Sequence, residues 1–123
     1  MKRRRIVKSD GSILVPHAEW ADGLMGHFVG LMFRPRLPVD EAIVLAYSRE
    51  SQVETAIHMF FMFFPIAALF LDRDGVVVHK VLARPWRPFY ASPRPAQYVV
   101  EAHPAVLECV AIGDRLAFEQ HEA

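Results

Sequence analysis

The feature that most constrains this chain is an uncharged stretch from Thr55 to Leu71, 17 residues long and dense in phenylalanine. A transmembrane helix needs about 20 consecutive, predominantly apolar residues, so the stretch is short for one. It also contains His58 and Pro65, and proline removes a backbone donor and disfavours helical geometry at Phe64. Phenylalanine and isoleucine favour strands. The stretch therefore predicts buried β-structure, and we expect no membrane span.

The residues after this stretch predict a hairpin. Leu71 leads into DRDG, and the apolar run VVVHKVL begins at Val76. Asp-Gly between β-branched and aromatic runs is a strong hairpin signal, so we expect residues 66–71 and 76–82 to pair antiparallel. The segment 58–63 is predicted to be a separate strand that enters before Pro65. It does not alternate polar and apolar residues, which indicates a central strand covered on both faces.

The rest of the chain predicts further short strands and one helix. Leucine, phenylalanine and methionine recur at helical spacing in Ala21–Phe33, before Pro35. Residues 106–112 are expected to form a single helical turn or irregular structure, and the proline-rich residues 84–95 a long exposed connection. The other strands are expected at residues 13–20, 42–47, 96–102 and 115–119. This pattern predicts a mainly β fold: a compact, jelly-roll-like sandwich or barrel of short antiparallel strands with one short helix.

Length and charge limit the classes of function. The 123 residues predict a single domain, and 53% hydrophobic with 23% charged residues indicates a globular chain. The net charge is zero, but five of the fourteen basic residues lie within the first eight, so the remainder carries about −5. Residues 1–10 are predicted to be a basic N-terminal arm or an edge strand. Because the rest of the domain is acidic, nucleic acid is not expected as a partner.

Cysteine usage and the start of the chain predict a cytoplasmic protein. Cys109 is the single cysteine, so no intrachain disulfide forms, and its expected role is that of a small buried hydrophobe. The lack of an intrachain disulfide is typical of proteins in a reducing compartment. The first twenty residues contain no long apolar run and no small-residue cleavage site, which predicts that no secretory signal is present.

Several motifs in order resemble the family of domain of unknown function 192. GLMFRPRLP (residues 30–38) is similar to its signature, and HMFFMFFPIAALFLDRDG (residues 58–75) to the strand, proline-isoleucine and turn that follow. Pro85-Trp86, the strand at 98–101 and Gly113-Asp114 complete a match over residues 13–118. The resemblance implies a compact, mainly β, jelly-roll-like domain, and it implies no activity. Two positions depart from the family pattern: Ala67 replaces an acidic residue, and Val106 replaces the glycine of a turn.

Five residues are candidates for a ligand site: Arg34, His58, Met62, Trp86 and Glu101. Arg34 would fix an anionic or polar ligand, Trp86 would cover an apolar face, and the other three would line the floor. Arg34 could instead be held in an ion pair. A soft metal on His58 and Met62 is disfavoured because the two would lie about 13 Å apart along a strand. We therefore expect no metal and no cofactor.

The loop RPWRPFY supplies candidates for partner binding, namely Arg84, Arg87, Phe89 and Tyr90. Three hypotheses follow. The protein is a small binding or accessory module for a polar or anionic ligand or a protein segment. Alternatively, it is an acid–base or hydrolytic enzyme that uses Glu101 and a histidine, which we consider less favoured. Alternatively, it is an interaction module without a small-molecule site. A monomer or a small homo-oligomer is expected.

Overall fold

The computed structural model describes residues 2–21 and 34–120 and has a mainly β architecture. Its elements, in chain order, are β1 (Lys2–Lys8), β2 (Ile13–Ala21), β3 (Glu41–Ser51), β4 (Ile66–Leu71), β5 (Val77–Ala83), β6 (Ala96–Ala102), a 3-10 helix (Pro104–Glu108) and β7 (Leu116–Gln120). All seven strands agree with a predicted strand or with the predicted basic segment, and β4 and β5 form the predicted hairpin. The mainly β prediction is confirmed.

All seven strands form one sheet, in the order β5-β4-β6-β3-β2-β1-β7. The sheet curls so that its two edges approach each other. Val77 N–H donates to the Asp114 carbonyl at 2.8 Å, and Leu116 N–H donates to the Gly75 carbonyl at 2.9 Å. A bridge between Val76 and Arg115 lies at the same place. The result is a half-barrel whose edges β5 and β7 are joined at one end only.

The β4–β5 hairpin is closed by the turn at Asp72. Its Oδ1 accepts from Asp74 N–H at 2.9 Å and from Val76 N–H at 3.0 Å. Gly75 has φ of +82°, a left-handed conformation that glycine adopts at little steric cost. A Cβ at this position would lie 2.5 Å from the Leu116 carbonyl oxygen. Glycine is thus required both by the turn and by the closure of the half-barrel.

The two faces of the sheet carry separate apolar clusters, because successive strand residues point to opposite faces. In β4, Ala67, Leu69 and Leu71 belong to the inner cluster, which the curl encloses. Ile66, Ala68 and Phe70 belong to the outer cluster. All six residues of β4 are buried. A strand that is covered on both faces and paired on both sides therefore exists, but it is β4, which lies between β5 and β6.

Residues 58–63 do not form the predicted strand. They lie in a loop that crosses the outer face of the sheet, with Met59 and Met62 buried in the outer cluster. Two further predictions need correction. Strands β2 and β3 pair parallel, so the sheet is mixed. Cys109 is exposed, and its Sγ lies 3.6 Å from the Ala105 carbonyl oxygen.

The basic N-terminal segment is β1, which pairs with β2 on one side and β7 on the other, and so is not an edge strand. Two of its arginines make contacts within the fold. The Arg4 guanidinium lies 4.9 Å from the centre of the Trp20 ring, and Arg5 Nε lies 3.6 Å from Glu119 Oε1. These contacts tie the basic residues to neighbouring strands.

The predicted helical turn near the C-terminus is a 3-10 helix, and it begins earlier than expected. His103 caps its start, since Nδ1 accepts from Ala105 N–H at 3.1 Å. Lys80 reaches it from β5, and Nζ donates to the carbonyls of Leu107 and Val110 at 2.7 and 2.8 Å. The predicted helix at residues 21–33 falls, apart from Ala21 at the end of β2, outside the described residues. In the part of the chain that is described, no helix is long or apolar enough to cross a membrane.

Candidate functional site

Two loops lie side by side on the outer face of the sheet and form the base of the site. Residues 57–64 precede β4, and residues 84–90 follow β5. Ile57 and Tyr90 exchange two backbone hydrogen bonds, of 2.8 and 2.9 Å. Met59 N–H donates to the Arg87 carbonyl at 2.8 Å, and Trp86 N–H donates to the Met59 carbonyl at 2.7 Å. These four bonds make the two loops a single unit, which we call the loop pair.

The inward side chains of the loop pair anchor it to the sheet. Ile57, Met59 and Met62 are buried in the outer cluster, and Tyr90 packs against the same cluster. The Tyr90 hydroxyl accepts from Arg84 N–H at 2.9 Å. Met62 and Tyr90, which were predicted to contact a ligand and a partner, therefore support the loops from below.

The outward side chains of the loop pair are large and aromatic. Trp86 is 49% exposed, and its ring centre lies 5.2 Å from that of Phe61 and 6.1 Å from that of Phe63. Phe63 and Phe89 are 57% and 67% exposed. We call these residues the aromatic surface; its members are Phe60, Phe61, Phe63, Trp86 and Phe89. Single exposed apolar residues are ordinary on a protein, whereas exposed rings that lie together, as those of Phe61, Phe63 and Trp86 do, are typical of interaction sites.

The backbone at two members of this surface is held in an unfavourable conformation. Phe61 and Trp86 have φ of 62° and 67°, in the left-handed region that bulky L-residues seldom adopt. Such a conformation costs about 1–2 kcal/mol for each residue. Residues of this kind concentrate at binding and catalytic sites. The backbone hydrogen bonds of the loop pair offset this cost and keep both rings outward.

The loop pair carries positive charge and no negative charge. Residues 57–65 and 84–95 contain Arg84, Arg87 and Arg94, and neither segment contains an aspartate or glutamate. Arginine beside exposed tryptophan and phenylalanine is the composition enriched at protein interfaces. His58, which also lies in the loop pair, accepts from Phe60 N–H at 3.2 Å through Nδ1, and its ring lies 5.4 Å from that of Phe60.

Glu101 is the one acidic residue buried in the described part of the sheet. Val100 and Ala102 belong to the inner cluster, so the side chain of Glu101 faces the outer cluster. Its neighbours in register are Ile43 of β3 and Ala68 of β4, both apolar. This burial raises the pKa of Glu101 to about 7, because the charged form loses its hydration.

Tyr47 lies on the same outer face and packs against the outer cluster. Burial raises its pKa to about 12, and the negative charges of Glu101 and Glu54 contribute in the same direction. The phenol and the Glu101 carboxyl therefore influence each other electrostatically within one apolar region.

Arg34 forms an ion pair with Glu19 of β2, with Nη2 and Oε2 3.3 Å apart, and both side chains are partly exposed. Glu19 and Glu101 lie in one row across the sheet, with Ile43 between them, so their Cα atoms are about 10 Å apart. Among the described residues, Glu101 makes no ion pair with Arg34 and no hydrogen bond with a histidine. The structure thus places Arg34 and Glu101 on the outer face, and His58, Met62 and Trp86 in the loop pair.

Some residues of the site were not anticipated from the sequence. Phe60, Phe61 and Phe63 were assigned to a buried strand, whereas Trp86 and Phe89 were recognised as candidates. Met59 and Met62 are buried at an interval of three, which a strand does not place on one face, but this burial becomes visible only in the structure. Among the described residues, no three histidine, cysteine, aspartate or glutamate side chains are grouped so as to hold a metal ion.

Comparison with known proteins agrees with the architecture and with the ordered motifs. The sequence pattern of domain of unknown function 192, described as an uncharacterized family, matches residues 5–118. The chain belongs to this family. A UPF0127 protein of Thermococcus sibiricus is 35% identical over 119 residues, which cover 95% of this chain and 75% of the relative. A UPF0127 protein of Pyrococcus furiosus is 35% identical over 104 residues, covering 82% and 85%.

Two solved structures have the same fold. A Sinorhizobium meliloti protein, described as a candidate transcription regulator, superposes with a TM-score of 0.82 at 23% identity, over 95% of this chain and 92% of its own. A Novosphingobium aromaticivorans protein of unknown function superposes with a TM-score of 0.77 at 18% identity, over 94% and 83%. At these identities the likeness shows the fold of the family and carries no activity.

Proposed function

We propose that this protein is a cytoplasmic interaction module whose aromatic surface binds an acidic, partly apolar segment of a partner protein. The observation that carries the proposal is the exposure of five neighbouring aromatic side chains on one pair of loops. Tryptophan, with arginine and other aromatic residues, provides most of the binding energy in many protein interfaces. The aromatic surface would therefore bury the apolar side chains of the partner.

Charge favours an acidic partner. Arg84 and Arg87 lie in the same loop as Trp86 and Phe89, and the two loops that form the aromatic surface contain no acidic residue. Arginine binds carboxylates through paired hydrogen bonds and also stacks on aromatic rings. An acidic segment would thus gain both attraction and orientation, whereas a basic segment would be repelled.

Rigid presentation of the rings also supports a binding role. Trp86 is held by its backbone hydrogen bond to Met59, Phe61 lies in the turn that the Met62 N–H to Met59 carbonyl bond closes, and the two rings contact each other. Little side-chain freedom is therefore lost when a partner binds. An acid–base enzyme is supported less well. Glu101 has a pKa suited to proton transfer, but His103 uses its Nδ1 to cap the 3-10 helix.

Peptide display with the full chain as bait tests the proposal. We expect selection of peptides rich in aspartate and glutamate with leucine or aromatic residues, and binding that weakens as salt is added. Synthetic versions of the selected peptides should bind about tenfold or more weakly to Trp86→Ala and to Phe89→Ser. Arg87→Gln should reduce binding and its salt dependence. Val53→Ser is the matched control, because Val53 is 83% exposed and lies outside both loops.

Three outcomes would overturn the proposal. The selected peptides show no excess of acidic residues, or the loop variants bind them as tightly as the Val53→Ser control. In the third, the protein does not bind the peptides but binds vesicles of phosphatidylserine and phosphatidylcholine, and Trp86→Ala and Phe89→Ser weaken that vesicle binding. Aromatic and arginine side chains also suit an anionic bilayer surface, and that result would assign the aromatic surface to lipid.

A further inference from the structure

A cleft separate from the aromatic surface lies where β4 begins and β6 ends. These strands are antiparallel, with Ala67 opposite Ala102, so Pro65 and His103 lie at the same end of the sheet. The cleft has a volume of about 230 Å³ and is lined by Arg36, Leu37, Phe64, Pro65, His103 and Pro104. Pockets for drug-sized ligands occupy roughly 300–1,000 Å³, so this cleft suits a smaller molecule.

The walls of the cleft are mainly apolar. Leu37 is buried in the outer cluster, and Phe64 packs against it. Pro65 and Pro104 contribute rings attached to a backbone of fixed φ, so their positions are stiff. These four residues would contact the apolar body of a ligand.

Two side chains of the cleft provide hydrogen-bond donors. Arg36 is exposed and carries a permanent charge and a planar fork of N–H groups. The His103 Nδ1 accepts from Ala105 N–H at 3.1 Å. In the neutral imidazole the proton therefore resides on Nε2, which becomes the second donor. None of the six lining residues is acidic.

We propose that this cleft binds a small organic carboxylate. The guanidinium of Arg36 would bind the two carboxylate oxygens, His103 Nε2–H would donate to one of them, and the apolar body would lie against Leu37, Phe64 and the two prolines. The site is independent of the aromatic surface, and it does not require the partner proposed above.

Benzoate is a suitable probe, because it combines a carboxylate with a small apolar ring. Titration of the full chain with benzoate, followed by amide NMR, should shift the signals of Leu37 and Ala105 in a saturable way. Benzamide has the same shape without the charge and should bind about tenfold or more weakly. Inorganic phosphate, an anion without an apolar body, should also bind more weakly than benzoate.

Variants then separate the roles of the two donors. Arg36→Gln should weaken benzoate binding by about tenfold or more, and Arg36→Lys should give an intermediate loss, because lysine keeps the charge without the paired donors. His103→Asn removes the Nε2 donor and retains a side-chain acceptor for the helix cap, and it should cost a few-fold in affinity. Arg115→Gln, an exposed arginine elsewhere on the sheet, is the matched control and should change nothing.

The proposal is overturned if benzoate leaves the Leu37 and Ala105 signals unmoved, or if benzamide or phosphate binds as tightly as benzoate. It is also overturned if Arg36→Gln binds benzoate like the Arg115→Gln control. Amide spectra of each variant without ligand establish that the fold is retained, so a loss of affinity reports on the cleft itself.

Discussion

Replacing Glu101 by glutamine should stabilise the protein at neutral and alkaline pH and have little effect in acid. Burial raises the pKa of Glu101 from its ordinary 4.5 to about 7. Between these two values the folded protein retains a proton that the unfolded chain has released. The free energy of unfolding of the native protein therefore falls as the pH rises from about 4.5 to about 7, and it stays low above that range.

The size of the effect follows from the same two pKa values. A pKa difference of one corresponds to about 1.4 kcal/mol, so the full difference corresponds to about 3 kcal/mol. Glutamine has the same size as glutamate and does not ionise, but its amide group is also costly to bury. We therefore expect Glu101→Gln to gain about 1–3 kcal/mol near pH 8, with the gain shrinking toward zero near pH 4.

Urea unfolding, followed by tryptophan fluorescence over this pH range, measures the difference. Glu108→Gln is the matched control, since Glu108 is exposed in the 3-10 helix, and it should show no comparable pH-dependent gain. The reasoning is refuted if the stability difference between Glu101→Gln and the native protein is the same at every pH. It is also refuted if Glu101→Gln is the less stable protein near pH 8, since the carboxylate would then be charged and favourably paired.

Gly75→Ala and Lys80→Met test the closure of the half-barrel, and Gly11→Ala is the control for the first. Gly75→Ala places a Cβ 2.5 Å from the Leu116 carbonyl and should lower the free energy of unfolding by about 2 kcal/mol or more, measured by urea unfolding. Gly11→Ala has a similar φ of +89° but open space, and it should lose only about 1 kcal/mol; equal losses would contradict the steric argument. Lys80→Met removes two hydrogen bonds to the carbonyls of Leu107 and Val110, and thermal unfolding should show a loss of about 1–3 kcal/mol; an unchanged melting temperature would contradict it.

The elements that were predictable from the sequence are those with local causes. The β4–β5 hairpin follows from Asp-Gly between apolar runs, and its turn contains the expected glycine at positive φ. The parallel pairing of β2 with β3 was missed because it depends on contacts between distant parts of the chain. Neither a turn residue nor a hydrophobic period in the sequence specifies which strands will pair with each other.

The error at residues 58–63 has a different physical cause. A run of phenylalanine and methionine is compatible both with a buried strand and with a loop that covers a sheet, because both structures bury apolar side chains. Only the fold decides between them, because β4 is already paired with β5 and β6 on its two sides and the preceding residues cross the outer face of the sheet. For the same reason Trp86 was recognisable as a candidate from its loop composition, whereas the exposure of Phe61 and Phe63 was not.

The polar side chains in and beside the core differ in whether hydrogen bonds compensate their burial. On the inner face, Lys80 lies opposite Leu69, and its Nζ donates to the carbonyls of Leu107 and Val110. Thr55 and Ser92 are buried, but local hydrogen bonds account for them: Thr55 Oγ1 donates to the Ser51 carbonyl at 2.6 Å, and Ser92 Oγ accepts from Arg94 N–H at 3.1 Å. Glu101 has no such local bond among the described residues, and its burial opposes folding at neutral pH. A buried carboxyl that opposes folding at neutral pH is a candidate for a functional role, and Glu101 lies on the face that also carries the aromatic surface.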